Sequence, residues 1–157
     1  KAKIVKPLTG LKAACYYGCL AVRPPELTGV EQYENPEHMD RLMEMLGAEA
    51  VPWSYKTDCC GASLVMTRTD IVVKLSQRIL SMALEAGADC IVTGCTMCHA
   101  NLDTRQAGLP VQDGRSGIPV FYFTELMGLA MGHKEAAKWL SRHLTDPLKL
   151  LSNKGLI

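Results

Sequence analysis

The sequence predicts an α/β fold with a parallel sheet of about four strands and helices on both of its faces. Segments with strand character alternate with segments of helical apolar spacing in the order β-α-β-α-β-α-β-α, which is typical of a parallel sheet. Cysteines follow each of the first three predicted strands. The chain has 157 residues, a length that suits one domain with one core, so we predict a single domain over residues 1–157.

The first half of the chain contains two predicted strands joined by a loop and a helix. Residues 12–19 form the first strand, and Arg23-Pro24-Pro25-Glu26 is expected to break regular structure. Asn35, which is followed by proline, is a typical helix N-cap, and Gly47 ends that helix. Residues 49–55 form the second strand, which leads into the loop that carries two adjacent cysteines.

The second half contains two further strands and three helical regions. Asp70 is expected to cap a long helix that ends at Gly87, and residues 89–93 form a short β-branched strand. Thr96 is expected to cap the next helix. Residues 119–123 form the fourth strand, ahead of the last helical region, and a loop precedes this strand that holds Gly108, Pro110, Gly114 and Gly117.

The predicted sheet brings cysteines from separate parts of the chain to one edge. Sites of parallel sheets lie at the carboxyl ends of the strands, and these ends are followed by Cys19, by Cys59 and Cys60, and by Cys95. Cys98 completes a Cys-x-x-Cys pair at a helix start, where the helix N-terminus stabilises thiolate charge. Thiolates are soft metal ligands. The pattern C-x39-C-C-x34-C-x-x-C therefore predicts a metal and redox site.

The number of cysteines in this pattern leaves the kind of site open. A structural zinc ion and an ordinary iron–sulfur cubane each need about four ligands, whereas the pattern supplies five. The fifth thiol is either a redox-active group or a ligand of an unusual cluster. A metal-free dithiol at Cys95 and Cys98, which would work by thiol–disulfide exchange, is a further alternative.

Three residues near the pattern have simpler interpretations. Cys15 lies in the middle of the first strand and Cys90 at the start of the third, so both are expected to be core residues. His99 follows Cys98 directly. It is either a ligand or proton donor of the site, or a residue of the first helical turn without such a role.

Composition excludes several classes of protein. The net charge is +1 and the sequence has no basic stripe, so nucleic acid is not an expected partner. No apolar run reaches the roughly 20 residues that span a bilayer, so no transmembrane segment is expected. Seven cysteines, an odd number, suit a reducing cytoplasm better than a secreted disulfide framework. The start has no signal peptide and no Met, and we interpret the chain as a piece of a longer protein.

The cysteines lie in three segments of distinctive sequence, Tyr17-Gly18-Cys19, Thr57-Asp58-Cys59-Cys60-Gly61-Ala62 and Cys95-Thr96-Met97-Cys98-His99-Ala100-Asn101-Leu102-Asp103. These segments resemble the cysteine-rich CCG domain, and in particular the C-terminal CCG domain in the cysteine-rich subunit of CoB–CoM heterodisulfide reductase and its relatives. The resemblance covers roughly residues 10–132, including Arg23-Pro24-Pro25-Glu26 and the segment Phe121-Tyr122-Phe123-Thr124-Glu125-Leu126. Members of that family carry two such motifs, so this chain resembles one half of such a subunit.

The resemblance implies a non-cubane [4Fe-4S] cluster bound by all five pattern cysteines: Cys19, Cys59, Cys60, Cys95 and Cys98. It implies an oxidoreductase that passes two electrons to a disulfide substrate, with Cys59, Cys60 and Cys98 at the reacting centre. Some CCG domains bind zinc instead, and zinc is the alternative metal here.

The resemblance also implies partners. These are the N-terminal CCG half of the same subunit and an iron–sulfur subunit that delivers electrons. Without them we expect the isolated domain to be inactive. In relatives of the family the same domain takes part in reactions of other substrates, so the resemblance does not specify which substrate this chain serves.

Overall fold

The protein forms the predicted α/β fold around a parallel sheet of four strands. The computed structural model describes residues 3–107, 111–112 and 115–157. The sheet has the strand order β2-β1-β3-β6, and every pair in it is parallel. Its strands are β1 Lys12–Tyr16, β2 Glu49–Ala50, β3 Cys90–Thr93 and β6 Val120–Tyr122.

A small antiparallel hairpin precedes the last strand of the sheet. It consists of β4 Val111–Gln112 and β5 Arg115–Ser116. The predicted loop in this region includes Gly108, Pro110 and Gly114, which lie outside the described residues.

Helices cover both faces of the sheet, as predicted. One face packs against α2, α5, α6 and α7, and the other against α3 and α4. The helices are α1 Pro25–Thr28, α2 His38–Met45, α3 Thr69–Glu85, α4 Thr96–Thr104, α5 Phe123–Ala130, α6 Ala136–Leu140 and α7 Leu148–Asn153, with a 3-10 turn at Ala62–Leu64. Within the described residues no helix is long and apolar enough to span a bilayer.

The central strand β1 shows how the sequence builds two cores. Successive side chains of a strand point to opposite faces. Accordingly, Ala13 and Cys15 join the core under α2 and α5, while Ala14 and Tyr16 join the core under α3 and α4. Cys90 at the start of β3 is fully buried in the first of these cores. Cys15 and Cys90 are thus core residues, as the sequence predicts.

The strand order creates a switch point between β1 and β3. After β1 the chain crosses to the edge strand β2, and after β3 it crosses to the other edge strand, β6. The connections that leave β1 and β3 therefore diverge, and a crevice opens between them at the carboxyl ends. Ligand sites of open α/β sheets lie at such points.

Three predicted boundaries are wrong. The helix predicted to start at Asn35 begins at His38, and neither it nor α3 has a side-chain cap. Asp70 lies inside α3, whose N-cap is Arg68, and the two side chains form an exposed ion pair at 2.9 Å. The Pro25 segment does not break regular structure but starts α1, because proline suits the first helical position.

All four strands are shorter than predicted, and β1 and β2 lose the most residues. β1 ends at Tyr16 because the N–H groups of Tyr17 and Gly18 both donate to the carbonyl of Lys56 instead of to a neighbouring strand. β2 ends at Ala50, and the last backbone bond beyond it runs from Val51 N to Ala13 O at 2.9 Å. The next residue is proline, which has no N–H to continue the ladder.

Candidate functional site

All five cysteines of the sequence pattern line one cavity of about 120 Å³ at the carboxyl edge of the sheet. Leu20, Ala62, Ser63 and Met97 complete its lining. Within the described residues no cysteine forms a disulfide. Thiols that are separated in the sequence by more than thirty residues thus share one space, as the predicted convergence of strand ends requires.

Three different segments deliver these cysteines. Cys19 follows the turn that ends β1, and Cys59 and Cys60 precede the 3-10 turn. Cys95 is the N-cap of α4, in place of the predicted Thr96, and Cys98 lies in the first turn of that helix. The N-terminus of α4 therefore faces the cavity, and its unpaired N–H groups favour negative charge on the sulfurs.

Cys60 and Cys98 are in direct contact. Their Sγ atoms lie 3.6 Å apart, and both side chains are buried. The hydrogen bond between the two sulfurs, together with the amide of Asn101, lowers the pKa of Cys60 to about 6 despite its burial. The same bond, and burial, raise the pKa of Cys98 above its ordinary value. A thiolate at Cys60 is therefore favoured at neutral pH.

Cys59 and Cys19 have contacts of their own. The backbone N–H of Gly61 donates to the Sγ of Cys59 at 3.3 Å. Burial and a hydrogen bond to Cys59 raise the pKa of Cys19. No three cysteine sulfurs within the described ranges lie within 4.8 Å of one another. The sulfurs are thus spread around the cavity and do not surround a single point.

Gly18 allows a close approach between two of the cysteine segments. It has φ of +67°, a conformation that L side chains rarely adopt, and a Cβ there would lie 3.0 Å from the Sγ of Cys98. The turn before Cys19 can therefore pass next to Cys98 only because residue 18 has no side chain.

Tyr16 and Asn101 support the segment of the adjacent cysteines. The hydroxyl of Tyr16 donates to the carbonyl of Asp58 at 2.6 Å. Burial, and then the nearby sulfurs, raise the pKa of this tyrosine. The amide of Asn101 donates to the carbonyl of Cys60 at 2.7 Å. Sequence reasoning assigns no role to either residue, although an Asn one turn after Cys98 on the same helix was a usable signal.

A buried ion pair stabilises the segments that lead to Cys19 and Cys59. Lys56 Nζ lies 2.8 Å from Asp40 Oδ1, and the other carboxylate oxygen accepts the hydroxyl of Tyr17 at 2.7 Å. The carbonyl of Lys56 accepts N–H groups of Tyr17 and Gly18, at 2.8 and 3.1 Å. The sequence alone does not show this network, because its members are far apart along the chain.

His99 does not line the cysteine cavity. Its ring packs edge-on against the ring of His143, with the centroids 5.0 Å apart. Glu125 lies beside this pair. The sequence left open whether His99 is a ligand of the cysteine site. Its position outside the cavity gives no support to that role.

The fold and the cavity define a class: an α/β domain with a cavity lined by five cysteines at the carboxyl ends of its strands. The family model of the CCG cysteine-rich domain matches residues 13–103, and the chain belongs to this family.

Curated relatives agree with this assignment. The chain is 32% identical over 151 residues to the 8-methylmenaquinol:fumarate reductase membrane anchor subunit of Wolinella succinogenes, covering 96% of this chain and 53% of that protein. It is 34% identical over 155 residues to a subunit of the ferredoxin:CoB-CoM heterodisulfide reductase of Methanosarcina mazei, covering 97% and 51%. The corresponding reductase subunit of Methanosarcina acetivorans is 34% identical over 135 residues, covering 84% and 45%. The chain thus spans about half the length of these relatives.

Proposed function

We propose that this chain is the iron–sulfur redox domain of a heterodisulfide-reductase-like complex. In this proposal Cys19, Cys59, Cys60, Cys95 and Cys98 bind a non-cubane [4Fe-4S] cluster. The observation that carries the proposal is that all five thiols line one cavity. The donor set fits such a group, since it consists of soft thiolates at a helix N-terminus with one pKa already lowered.

The spacing of the sulfurs favours a cluster over a single zinc ion. Tetrahedral zinc with Zn–S bonds of about 2.3 Å needs its sulfurs about 3.8 Å apart. Cys60 and Cys98 lie at that distance, 3.6 Å, but among the described residues no three cysteine sulfurs lie within 4.8 Å of one another. A group of several metal ions reaches sulfurs that are farther apart.

A bound cluster would supply electrons and a thiophilic iron to a disulfide. The reaction is balanced as one disulfide, two electrons and two protons giving two thiols. The chain contributes the surroundings. Cys59, Cys60 and Cys98 lie at the reacting centre, and the side chains of Leu20 and Met97 add apolar groups to the lining.

A larger cavity beside Cys19 provides room for a substrate. It has a volume of about 580 Å³ and is lined by Arg23, Tyr33 and Leu20, among others. In the proposed function the Arg23 guanidinium orients an anionic group of the disulfide. The two sulfurs of the substrate then approach the cluster cavity from the side of Cys19.

We further propose that residues 1–157 are one domain, corresponding to the C-terminal half of a two-motif subunit in the cytoplasm. Its partners are the N-terminal half and an iron–sulfur subunit that delivers the electrons. The curated relatives carry names of reductase subunits, and the chain covers about half of each. On this basis the isolated domain binds its cluster but has no reductase activity.

Anaerobic purification with iron, sulfide and zinc analysis tests the proposal. We expect a brown protein with about four irons and about four sulfides per chain. A colourless protein with one zinc would contradict the cluster and support a structural zinc site. A metal-free protein whose thiol activity survives iron chelation would support the dithiol alternative instead.

A further inference from the structure

We propose that His99, Glu125 and His143 form a second metal site, for a divalent transition ion such as zinc, behind the cysteine cavity. The three residues come from α4, from the first turn of α5, and from the segment between α6 and α7. One ligand atom from each lies within 4.8 Å of the other two.

The geometry is close to that of a site with three protein ligands. His143 Nε2 lies 3.0 Å from Glu125 Oε1. Zinc bonds of about 2.0–2.2 Å to imidazole nitrogen and carboxylate oxygen place the ligand atoms roughly 3.3 Å apart in a tetrahedron. An ion would replace the hydrogen bond between His143 and Glu125 and move these two atoms slightly apart, with His99 as the third ligand.

An unpartnered nitrogen atom points independently to a missing ligand. His99 Nε2 is buried and has no hydrogen-bond partner among the described residues. The His143 side chain is 2% exposed, and that of Glu125 is 18% exposed. Buried polar groups are normally paired, so the unpaired ring nitrogen of His99 beside Glu125 and His143 requires an explanation. A metal ion beside His99 supplies a partner for its Nε2.

The surrounding hydrogen bonds hold the cluster in place. The backbone N–H of Tyr122 donates to Glu125 Oε2 at 2.8 Å, which leaves Oε1 directed to His143. The carboxylate of Asp103 accepts the N–H groups of Leu144 and Thr145, at 2.8 and 3.0 Å, and so fixes the segment after His143. Such outer contacts orient the ligands of metal sites.

The chemistry of the donors selects the ion. Two imidazoles and one carboxylate suit zinc and its neighbours among the transition metals, whereas calcium and magnesium prefer oxygen ligands only. Three protein ligands leave one position for water. An ion here would connect α4, which carries Cys95 and Cys98 at its start, to α5 and to the segment of His143.

Cobalt(II), as a spectroscopic substitute for zinc, tests the proposal. The metal-depleted chain is titrated anaerobically with cobalt. Cobalt at thiolates gives intense near-ultraviolet charge-transfer bands, whereas cobalt at nitrogen and oxygen gives only weak visible bands. We expect one bound cobalt of the second kind, in addition to any held by cysteines.

Variants separate the proposed site from the cysteines. His99→Gln and Glu125→Gln should each weaken binding of this cobalt by at least about tenfold. His133→Gln is the matched control, because His133 is exposed and packs against Trp139 outside the cluster. The double variant Cys60→Ala, Cys98→Ala should keep the cobalt, so a failure of the cysteine cluster would not be mistaken for a failure of this site.

Three outcomes would overturn the proposal. One is that every bound cobalt shows thiolate bands, and another is that His99→Gln and Glu125→Gln bind cobalt as the unaltered chain does. The third is that His133→Gln loses the cobalt as well. Circular dichroism shows whether each variant is folded. Glu125→Gln preserves side-chain shape, so it keeps the test decisive if a histidine variant does not fold.

Discussion

Lys56 forms a buried ion pair with Asp40, with 2.8 Å between Nζ and Oδ1 and with less than an eighth of either side chain exposed. The same lysine accepts, through its carbonyl, the N–H groups that lead into the turn before Cys19. It lies three residues before Cys59. This one pair therefore connects α2 to both of the segments that bring the first cysteines to the cavity.

Replacing Lys56 tests the importance of that connection. Lys56→Met leaves the Asp40 carboxylate buried without its partner, and we expect the free energy of unfolding to fall by about 3–5 kcal/mol. Arg41→Ala, which breaks the exposed pair with Glu37, is the matched control and should cost about 0–1 kcal/mol. Urea denaturation of both variants measures the difference, and equal losses would contradict a structural role for the buried pair.

Gly18 provides a second test, on the approach of the turn to Cys98. Gly18→Ala and Gly155→Ala both place alanine at φ of +67°, so each should cost about 1–2 kcal/mol in stability. Only the first places a Cβ 3.0 Å from a cysteine sulfur, whereas the second has no atom within 4 Å. We expect iron content to fall in Gly18→Ala alone. Unchanged iron there would show that the approach is not needed for cluster binding.

The proposed ligands are tested by alanine substitution. Cys59→Ala and Cys60→Ala should each reduce the iron and sulfide content of anaerobically purified protein, because each removes a thiolate from the cavity lining. Cys15→Ala is the control: this thiol is fully buried in the core under α2, so its loss should lower stability and leave iron content unchanged. Normal iron in both of the first two variants would refute the ligand assignment.

The contact between Cys60 and Cys98 predicts a pH dependence for the metal-free, reduced protein. Because the hydrogen bond between the two sulfurs stabilises a thiolate at Cys60, we expect one thiolate to form with a pKa of about 6 and to be largely present at pH 7. Cys98→Ala removes this hydrogen bond, so the pKa of Cys60 should rise toward its ordinary value. Ultraviolet thiolate absorbance against pH measures this change.

The thiols of Cys15 and Cys98 should not obscure that titration. Burial raises the pKa of Cys15, and the bond to Cys60 together with burial raises that of Cys98, so both remain protonated near neutral pH. A titration curve identical in the unaltered chain and in Cys98→Ala would contradict the predicted coupling.

Much of the architecture follows from local patterns. The alternation of strand and helix segments predicts the parallel sheet, and Gly47 and Gly87 mark helix ends with φ of +93° and +77°. Helix starts are less predictable here. Asn35 and Asp70 are good N-caps by type, yet the observed N-caps are Glu37 and Arg68, and tertiary packing outweighs a preference of about 1 kcal/mol.

The cysteine pattern and the order of strands were sufficient to place five thiols at one edge of a parallel sheet, because that edge is a consequence of topology. Long-range packing determined the rest. It set which sulfurs touch, it buried Lys56 against Asp40, and it directed His99 away from the cavity toward Glu125 and His143. These contacts join residues from different elements. Their side chains meet only when the helices pack on the sheet, so the sequence alone does not predict the distances between them.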